Sequence, residues 1–147
     1  MRTVRIALLA GATLVAGCRS LADVQVTDLE GQWIASQARF VEIAAPKRNN
    51  EDLIQLGWDV EMDIDGAGNF VLSLFIPDDD DDIVLGSLTV TDGRQLGLLT
   101  ENGEGEGEVF LEDDQVAFRL TAGLEFNFGD GRVVPSRLIL VLDRTGG

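Results

Sequence analysis

Apolar and polar residues alternate along most of the chain, and this alternation is typical of half-buried β-strands. The clearest case is Trp58–Asp65, WDVEMDID, where apolar and acidic residues alternate without a break. The small residues Gly66–Asn69 predict a turn, and the apolar run Phe70–Ile76 predicts a strand that returns beside the first. Asp92-Gly93 predicts a second tight hairpin turn.

The same pattern predicts further strands and brings their number to about eight or nine. They are Gly31–Glu42, Ile83–Thr91, Arg94–Leu99, Val109–Leu111, Gln115–Thr121, Leu124–Phe128 and Ser136–Leu142. A short helical turn is predicted over Asn49–Leu56, with Asn50 as its cap, and a flexible acidic loop over Glu101–Glu108, ENGEGEGE. Close strand spacing with short turns predicts an all-β fold, a small antiparallel up-and-down β-barrel.

One face of each strand supplies the predicted core. Its rows are Val60/Met62/Ile64, Phe70/Leu72/Leu74, Val84/Leu88/Val90, Val116/Phe118/Leu120 and Leu138/Leu140/Leu142. Some strands are apolar on the opposite face as well, at Val71, Phe75, Ile83, Leu85, Ile139 and Val141. An exposed apolar face would indicate a partner or a membrane. Burial under residues 49–56 or under the chain termini is the interpretation favoured here.

The N-terminal residues have a different pattern. Arg2 and Arg5 precede the apolar stretch Ile6–Ala16, and Gly17 and then Cys18, the one cysteine of the chain, follow it. A basic start, a short apolar region and a small-residue cleavage site are the signature of a secretory signal peptide. The apolar region is shorter than the roughly 20 residues that a membrane span needs.

Val15-Ala16-Gly17-Cys18 resembles the lipobox of bacterial lipoproteins. The resemblance implies cleavage between Gly17 and Cys18, a diacylglycerol on the Cys18 sulfur, and a further acyl chain such as palmitate on the new amine. More than one acyl chain makes a stable membrane anchor. The chain would then consist of a signal peptide (1–17), a lipidated tether (18–28) and one domain (29–145).

A lipid on Cys18 predicts export and anchoring at the periplasmic face of the bacterial cell envelope. Arg19 occupies the place of a retention-type Asp, which favours the outer membrane if the host has two membranes. Removal of residues 1–17 leaves 130 residues with a net charge of −17. Such acidity excludes nucleic acid as a partner and gives no electrostatic attraction to anionic lipid. With Cys18 lipidated, no disulfide is expected.

The chain offers few of the residue combinations that catalysis uses. The chain has no histidine and no tyrosine, so catalytic triads and His-ligated zinc are excluded. Glu61-x-Asp63-x-Asp65-Gly66 resembles the first half of an EF-hand loop, but Leu72 stands where a bidentate Glu is required. Asp78–Asp82 and Asn127–Gly131 could collect calcium, although solvated acidic loops are favoured. The sequence therefore predicts no enzyme, no metal and no cofactor.

Gly31-x-Trp33, at the start of the first strand, resembles the start of lipocalin-type barrels. The resemblance extends over LEGQWIASQARFVE, DLIQLGWDVEMDIDGAGNFVLSL and FNFGDGRVVPSRLILVLDR. It implies that Trp33 packs across the closed end of the barrel and that Arg144, or less suitably Arg137, lies on the indole ring. It also implies a non-catalytic lipoprotein that binds a small apolar molecule or an envelope protein. The alternative is a filled barrel, structural or inhibitor-like, with no small-molecule ligand.

Overall fold

Strands make up most of residues 22–146, the part of the chain that the computed structural model describes. They are β1 (Gly31–Glu42), β2 (Asn50–Asp52), β3 (Asp59–Ile64), β4 (Asn69–Phe75), β5 (Asp82–Thr91), β6 (Gln95–Thr100), β7 (Gly103–Glu112), β8 (Gln115–Asn127) and β9 (Val133–Arg144). A 3₁₀-helix at Val26–Leu29 precedes them and is the only helix in this part of the chain. Between residues 22 and 146, no helix has the length and apolar character needed to cross a membrane.

Eight of these strands close into an antiparallel barrel. Each strand from β3 to β8 pairs with the next, β1 pairs with β3, and β9 pairs with β1 to complete the circle. The additional strand β2 pairs with the second half of β1, on the edge where β3 pairs with the first half. The prediction of an all-β, up-and-down barrel of about eight strands is confirmed.

The two ends of the barrel differ. At one end, the 3₁₀-helix packs against the interior through the fully buried Leu29. Val24 is also buried, and its N–H donates to the carbonyl oxygen of Gly93 in the β5–β6 turn (2.7 Å). Part of the segment that the sequence analysis places in the tether therefore packs on the barrel. We name this the closed end and the opposite one the open end.

The prediction of a short helical turn over Asn49–Leu56 is wrong. Asn50–Asp52 is strand β2, and the chain then turns before β3. The Asp52 carboxylate accepts the N–H groups of Ala38 and Ile54, both at 3.1 Å. These bonds fix the turn so that Leu53 enters the core. Tertiary burial and pairing with β1 therefore override the local helical preference.

The flexible loop predicted over Glu101–Glu108 is also wrong, because β7 begins at Gly103 and pairs with β6 and β8. Its glutamates Glu104, Glu106 and Glu108 are exposed, while Gly105 between them is buried. The segment therefore alternates with the period of a strand, with glycine at the inward positions. The two segments predicted within residues 115–128 are one strand, β8, with a bulge between Leu120 and Leu124.

The apolar outer positions of β4 and β5 are exposed, which corrects the expectation that another segment covers them. Val71, Phe75, Ile83 and Leu85 are 37–56% exposed, and Leu99 on β6 is similarly exposed. Residues 50–52 pair with β1 instead. Ile139 and Val141 on β9 are partly buried. We name Val71, Phe75, Ile83, Leu85 and Leu99 the outer apolar stripe.

Candidate functional site

The predicted site residues fall into two groups. Gly17 and Cys18, the predicted cleavage and lipidation site, lie outside the described residues. Trp33 and Arg144 lie at the closed end, opposite one another on the paired strands β1 and β9. Arg137, the less suitable candidate for the contact with Trp33, is exposed and pairs with Val41 towards the open end.

The structure brings Trp33 and Arg144 into direct contact. The guanidinium carbon of Arg144 lies 4.2 Å from the indole centroid, and its two terminal nitrogens donate to the carbonyl oxygens of Glu30 (2.6 Å) and Asp28 (2.9 Å). The buried indole N–H donates to the carbonyl oxygen of Leu29 (2.9 Å). One arginine thus joins the last strand to the backbone that leads into β1, and its role is structural.

Gly31 has a steric reason to be glycine at this contact. Its φ is +138°, and a Cβ placed there would lie 2.6 Å from a terminal nitrogen of Arg144. A side chain at position 31 would therefore displace the guanidinium from the indole. The glycine and tryptophan of Gly31-x-Trp33 act together, because one leaves room for the cation and the other receives it.

At the open end, one side of the barrel is filled. Leu53 plugs the interior from the turn after β2. Near the ends of β1 and β8, the rings of Phe40 and Phe126 stack with centroids 4.1 Å apart. Phe128 meets Phe126 edge to face at 4.9 Å. These residues give the open end an aromatic wall.

The other side of the open end contains a pocket of about 630 Å³. It lies between β6, β7, β8 and β9, and we name it the mouth pocket. Its lining includes Leu98, Thr100, Gly105, Leu124, Val133 and Pro135. Binding sites for small molecules typically have volumes of about 300–1,000 Å³ and mostly apolar walls. The mouth pocket meets the condition on volume, and Leu98, Leu124, Val133 and Pro135 give it apolar walls beside the polar Thr100, Asn102, Glu104 and Glu125.

Gly105 makes this space. A Cβ at this inward position would meet only ordinary contacts, 3.8 Å from Leu98 Cβ and 3.8 Å from Leu124 Cδ2. A larger side chain would extend between these two leucines into the mouth pocket. Sequence reasoning missed this feature because it interpreted Gly105 as part of a loop. The alternation of Glu and Gly was the signal that could have found it.

The polar groups at the rim are acidic or already hydrogen-bonded. Glu104 and Glu125 line the mouth pocket, and none of its lining residues is basic. The Thr100 hydroxyl donates to the carbonyl oxygen of Gly103 (3.2 Å) and accepts the N–H of Asn102 (3.2 Å). A negative rim around apolar walls disfavours fatty acids and other anions, and it accepts neutral or cationic molecules.

Two of the three acidic motifs considered for calcium serve turns. Asp65 accepts the N–H groups of Ala67 and Asn69 and the Asn69 side-chain amide, each at 2.9 Å, and these bonds to Asn69 lower the pKa of Asp65. The pKa of Asp130 is lowered by hydrogen bonds from Arg132, first from its backbone and then from its side chain. Within residues 22–146, no three carboxylate, histidine or cysteine groups converge as metal ligands.

No protein-family model and no curated protein matches this chain. Two solved structures are similar in outline. One is a de novo designed fluorescence-activating β-barrel, with a TM-score of 0.48 and 13% identity over 83% of this chain and 99% of that chain. The other is EF1p2_mFAP2b bound to DFHBI, with a TM-score of 0.46 and 13% identity over 80% of this chain and 94% of that chain.

Proposed function

We propose that this protein is a non-catalytic lipoprotein of the bacterial cell envelope that binds a small apolar molecule in the mouth pocket. In this proposal the acyl chains on Cys18 hold the domain at a membrane, and the domain is of the lipocalin-like kind. The observation that carries the ligand-binding part is the mouth pocket, a space of about 630 Å³ with apolar walls at Leu98 and Leu124, above a filled core.

The distribution of burial supports a binding site at the open end. Leu29, Trp33, Val116 and Leu142 are at most 1% exposed, so the closed half of the barrel is filled by its own side chains. Inward residues nearer the open end are only partly buried. They include Leu72, Leu74, Leu98, Leu124, Phe126 and Leu138. Of these residues Leu98 and Leu124 line the mouth pocket. An apolar ligand seated there would complete the burial of these two side chains and gain about 25 cal/mol for each Å² removed from water.

The rim defines the class of ligand. Glu104 and Glu125 would repel a carboxylate or a phosphate, and the pocket offers no arginine or lysine to neutralise one. A neutral molecule, or one with an apolar body and a cationic head, would fit both the walls and the rim.

Filling the pocket tests the binding site. We expect Gly105→Leu to weaken the binding of the neutral apolar dye Nile red by about tenfold or more, because the leucine side chain would occupy the mouth pocket. Titration of the dye with protein, followed by the rise in its fluorescence, gives the two dissociation constants. Circular dichroism of the variant checks that the barrel is intact.

A matched variant separates the pocket from the outer surface. Leu99→Ser removes an exposed apolar side chain beside Leu98 that points outwards, so Nile red binding should stay as in the wild type. If Leu99→Ser weakens binding and Gly105→Leu does not, the dye binds on the outside and the proposed pocket function is wrong. Absence of any Nile red binding would also contradict the proposal.

Lipid attachment is tested separately in a host that processes lipoproteins. We expect Cys18→Ser to abolish incorporation of radioactive palmitate and to release the protein from the membrane fraction, because Cys18 is the residue to which the lipid would attach. Labelling of the full chain is compared by autoradiography of immunoprecipitated protein. Palmitate incorporation that persists in Cys18→Ser would refute the anchor.

A further inference from the structure

The outer apolar stripe forms one continuous patch on neighbouring strands. Val71 on β4 pairs with Leu85 on β5, and Ile83 lies two residues from Leu85 on the same face. Leu99 on β6 pairs with Ser87, the next outward residue of β5 after Leu85. Large apolar side chains that are adjacent and exposed, rather than scattered singly, indicate an interaction surface.

Acidic residues border this patch on three sides. On the β3 side, the exposed Asp59 and Asp63 pair with Phe75 and Val71, and Glu61 lies between them. On the far side, Glu104 of β7 pairs with Leu99. At the open end, the β4–β5 connection contributes the exposed run Asp78–Asp82. An apolar centre with a charged rim is the usual anatomy of a protein interface.

The acidity of the chain is concentrated on this side of the barrel. Residues 59–112, which contain β3–β7, hold fifteen Asp and Glu residues and a single basic residue, Arg94. The Arg94 guanidinium lies 5.0 Å from the ring of Phe110 on β7, a residue beyond the stripe. The segment therefore carries a net charge of −14 with no cation inside the acidic border.

We propose that the outer apolar stripe is a docking surface for a basic protein partner, one that presents an apolar ridge flanked by lysine or arginine. The ridge would cover the stripe, and the flanking cations would reach the acidic rows on β3 and β7. Complementary charge of this kind raises the association rate and selects the partner.

A depression of about 300 Å³ at the edge of the stripe suits one of those cations. Asp63, Asp65, Val71 and Leu85 line it, so carboxylates and aliphatic side chains meet in one place. A lysine or arginine side chain can lay its methylene stem along Val71 and Leu85 and bring its charge to the two aspartates. The Asp65 carboxylate is held in place there because it accepts hydrogen bonds from Ala67 and Asn69 of the turn.

The same charges argue against two other occupants. An anionic membrane surface would be repelled by the acidic border. A second copy of this chain, docked through the same stripe, would bring two acidic borders together, and like charges facing each other cost binding free energy. The two features also lie at different ends of the barrel. The chain enters at the closed end, where the Val24 N–H donates to the carbonyl oxygen of Gly93. The outer apolar stripe extends to the open end, at Phe75 and Ile83.

A peptide of defined composition tests the proposal. The probe is a dye-labelled amphipathic helix of leucine and lysine, and its control has glutamate in place of lysine. Fluorescence anisotropy should show binding of the lysine peptide at low salt and weaker binding at high salt. The double variant Ile83→Ser/Leu85→Ser should weaken that binding about tenfold or more, because two aliphatic side chains no longer contribute burial.

Matched variants decide between specific docking and general charge attraction. Ile43→Ser removes an exposed isoleucine outside the stripe and should leave the affinity unchanged. Leu99→Ser, on the neighbouring strand, should weaken binding as well and serves as a second variant if the double variant does not fold. Glu61→Gln/Asp63→Asn should slow association.

Several results would overturn the proposal. The lysine peptide does not bind, or it binds wild type and Ile83→Ser/Leu85→Ser with equal affinity. The glutamate peptide binds as tightly as the lysine peptide. The wild type forms a dimer in analytical ultracentrifugation, and the double variant abolishes it. Binding of wild type to phosphatidylglycerol vesicles that the double variant loses would likewise assign the stripe to a lipid surface.

Discussion

Arg144→Ala is expected to lower the free energy of unfolding by about 2–4 kcal/mol, through loss of the cation–π contact with Trp33 and of two charge-assisted hydrogen bonds. The carbonyl oxygens of Glu30 and Asp28 lose their guanidinium donors in this variant. A loss of this size corresponds to a fall in Tm of roughly 10 °C for a domain of this length. Thermal unfolding followed by circular dichroism measures it.

Two other arginine variants are the controls for this effect. Arg144→Lys keeps a positive charge near Trp33 but cannot donate to two carbonyl oxygens from one planar group, so its stability should be intermediate. Arg137→Ala removes an exposed arginine from the same strand, β9, and should change Tm little. If Arg144→Ala and Arg137→Ala have the same Tm, the closed-end contact does not stabilise the barrel.

The Trp33–Arg144 contact also shows what the sequence could supply. Alternation of apolar and polar residues predicts the strands, and short turns predict that neighbours pair, so the barrel follows from local pattern. No local sequence pattern links Trp33 with Arg144, because the two residues lie near opposite ends of the domain sequence. Their pairing was predicted by resemblance to lipocalin-type barrels, because only a fold already known says which strands close the circle.

Local pattern failed where tertiary contacts decide the structure. Asn50 and the acids after it favour a helix start in isolation, but the buried Asp52 carboxylate bonds Ala38, a residue of another strand. The prediction that another segment covers the outer apolar stripe was wrong for a related reason. An apolar outer row indicates either a covering segment or a partner, and the sequence does not say which. The cover expected from residues 49–56 would have required this segment to reach β4 and β5, whereas β2 pairs with β1.

The prediction of a loop over Glu101–Glu108 is the most instructive error, because glycines of this segment that suggested a loop allow strand β7 to pack in the sheet. A Cβ on Gly107 would overlap the carbonyl group of Arg119 on β8 and lie 2.8 Å from the Cα of Leu120. The two strands approach this closely where the β7–β8 register shifts between Glu106 and Gly107. Glycine inside a strand often marks such a close approach of two backbones.

Gly107→Ala should therefore destabilise the barrel by about 3 kcal/mol, at the upper end of the usual cost of overpacking, because the obstacle is backbone and cannot rotate away. Gly105→Ala, two residues earlier on the same strand, is the matched control. Its Cβ would meet only contacts of 3.7–3.8 Å. This variant should be neutral or more stable by about 0.4–1 kcal/mol, because alanine restricts the unfolded chain.

Urea denaturation of the two variants and the wild type measures both free energies. The difference between the two free energies is the decisive feature, since residue type, strand and substitution are shared and the distance to the β8 backbone differs. Equal midpoints for Gly105→Ala and Gly107→Ala would mean that β7 does not approach β8 as described, and that residues 103–108 are a flexible segment after all. A large loss for Gly107→Ala alone would establish that the Gly-Glu repeat is a strand and that its close approach to β8 requires glycine at position 107.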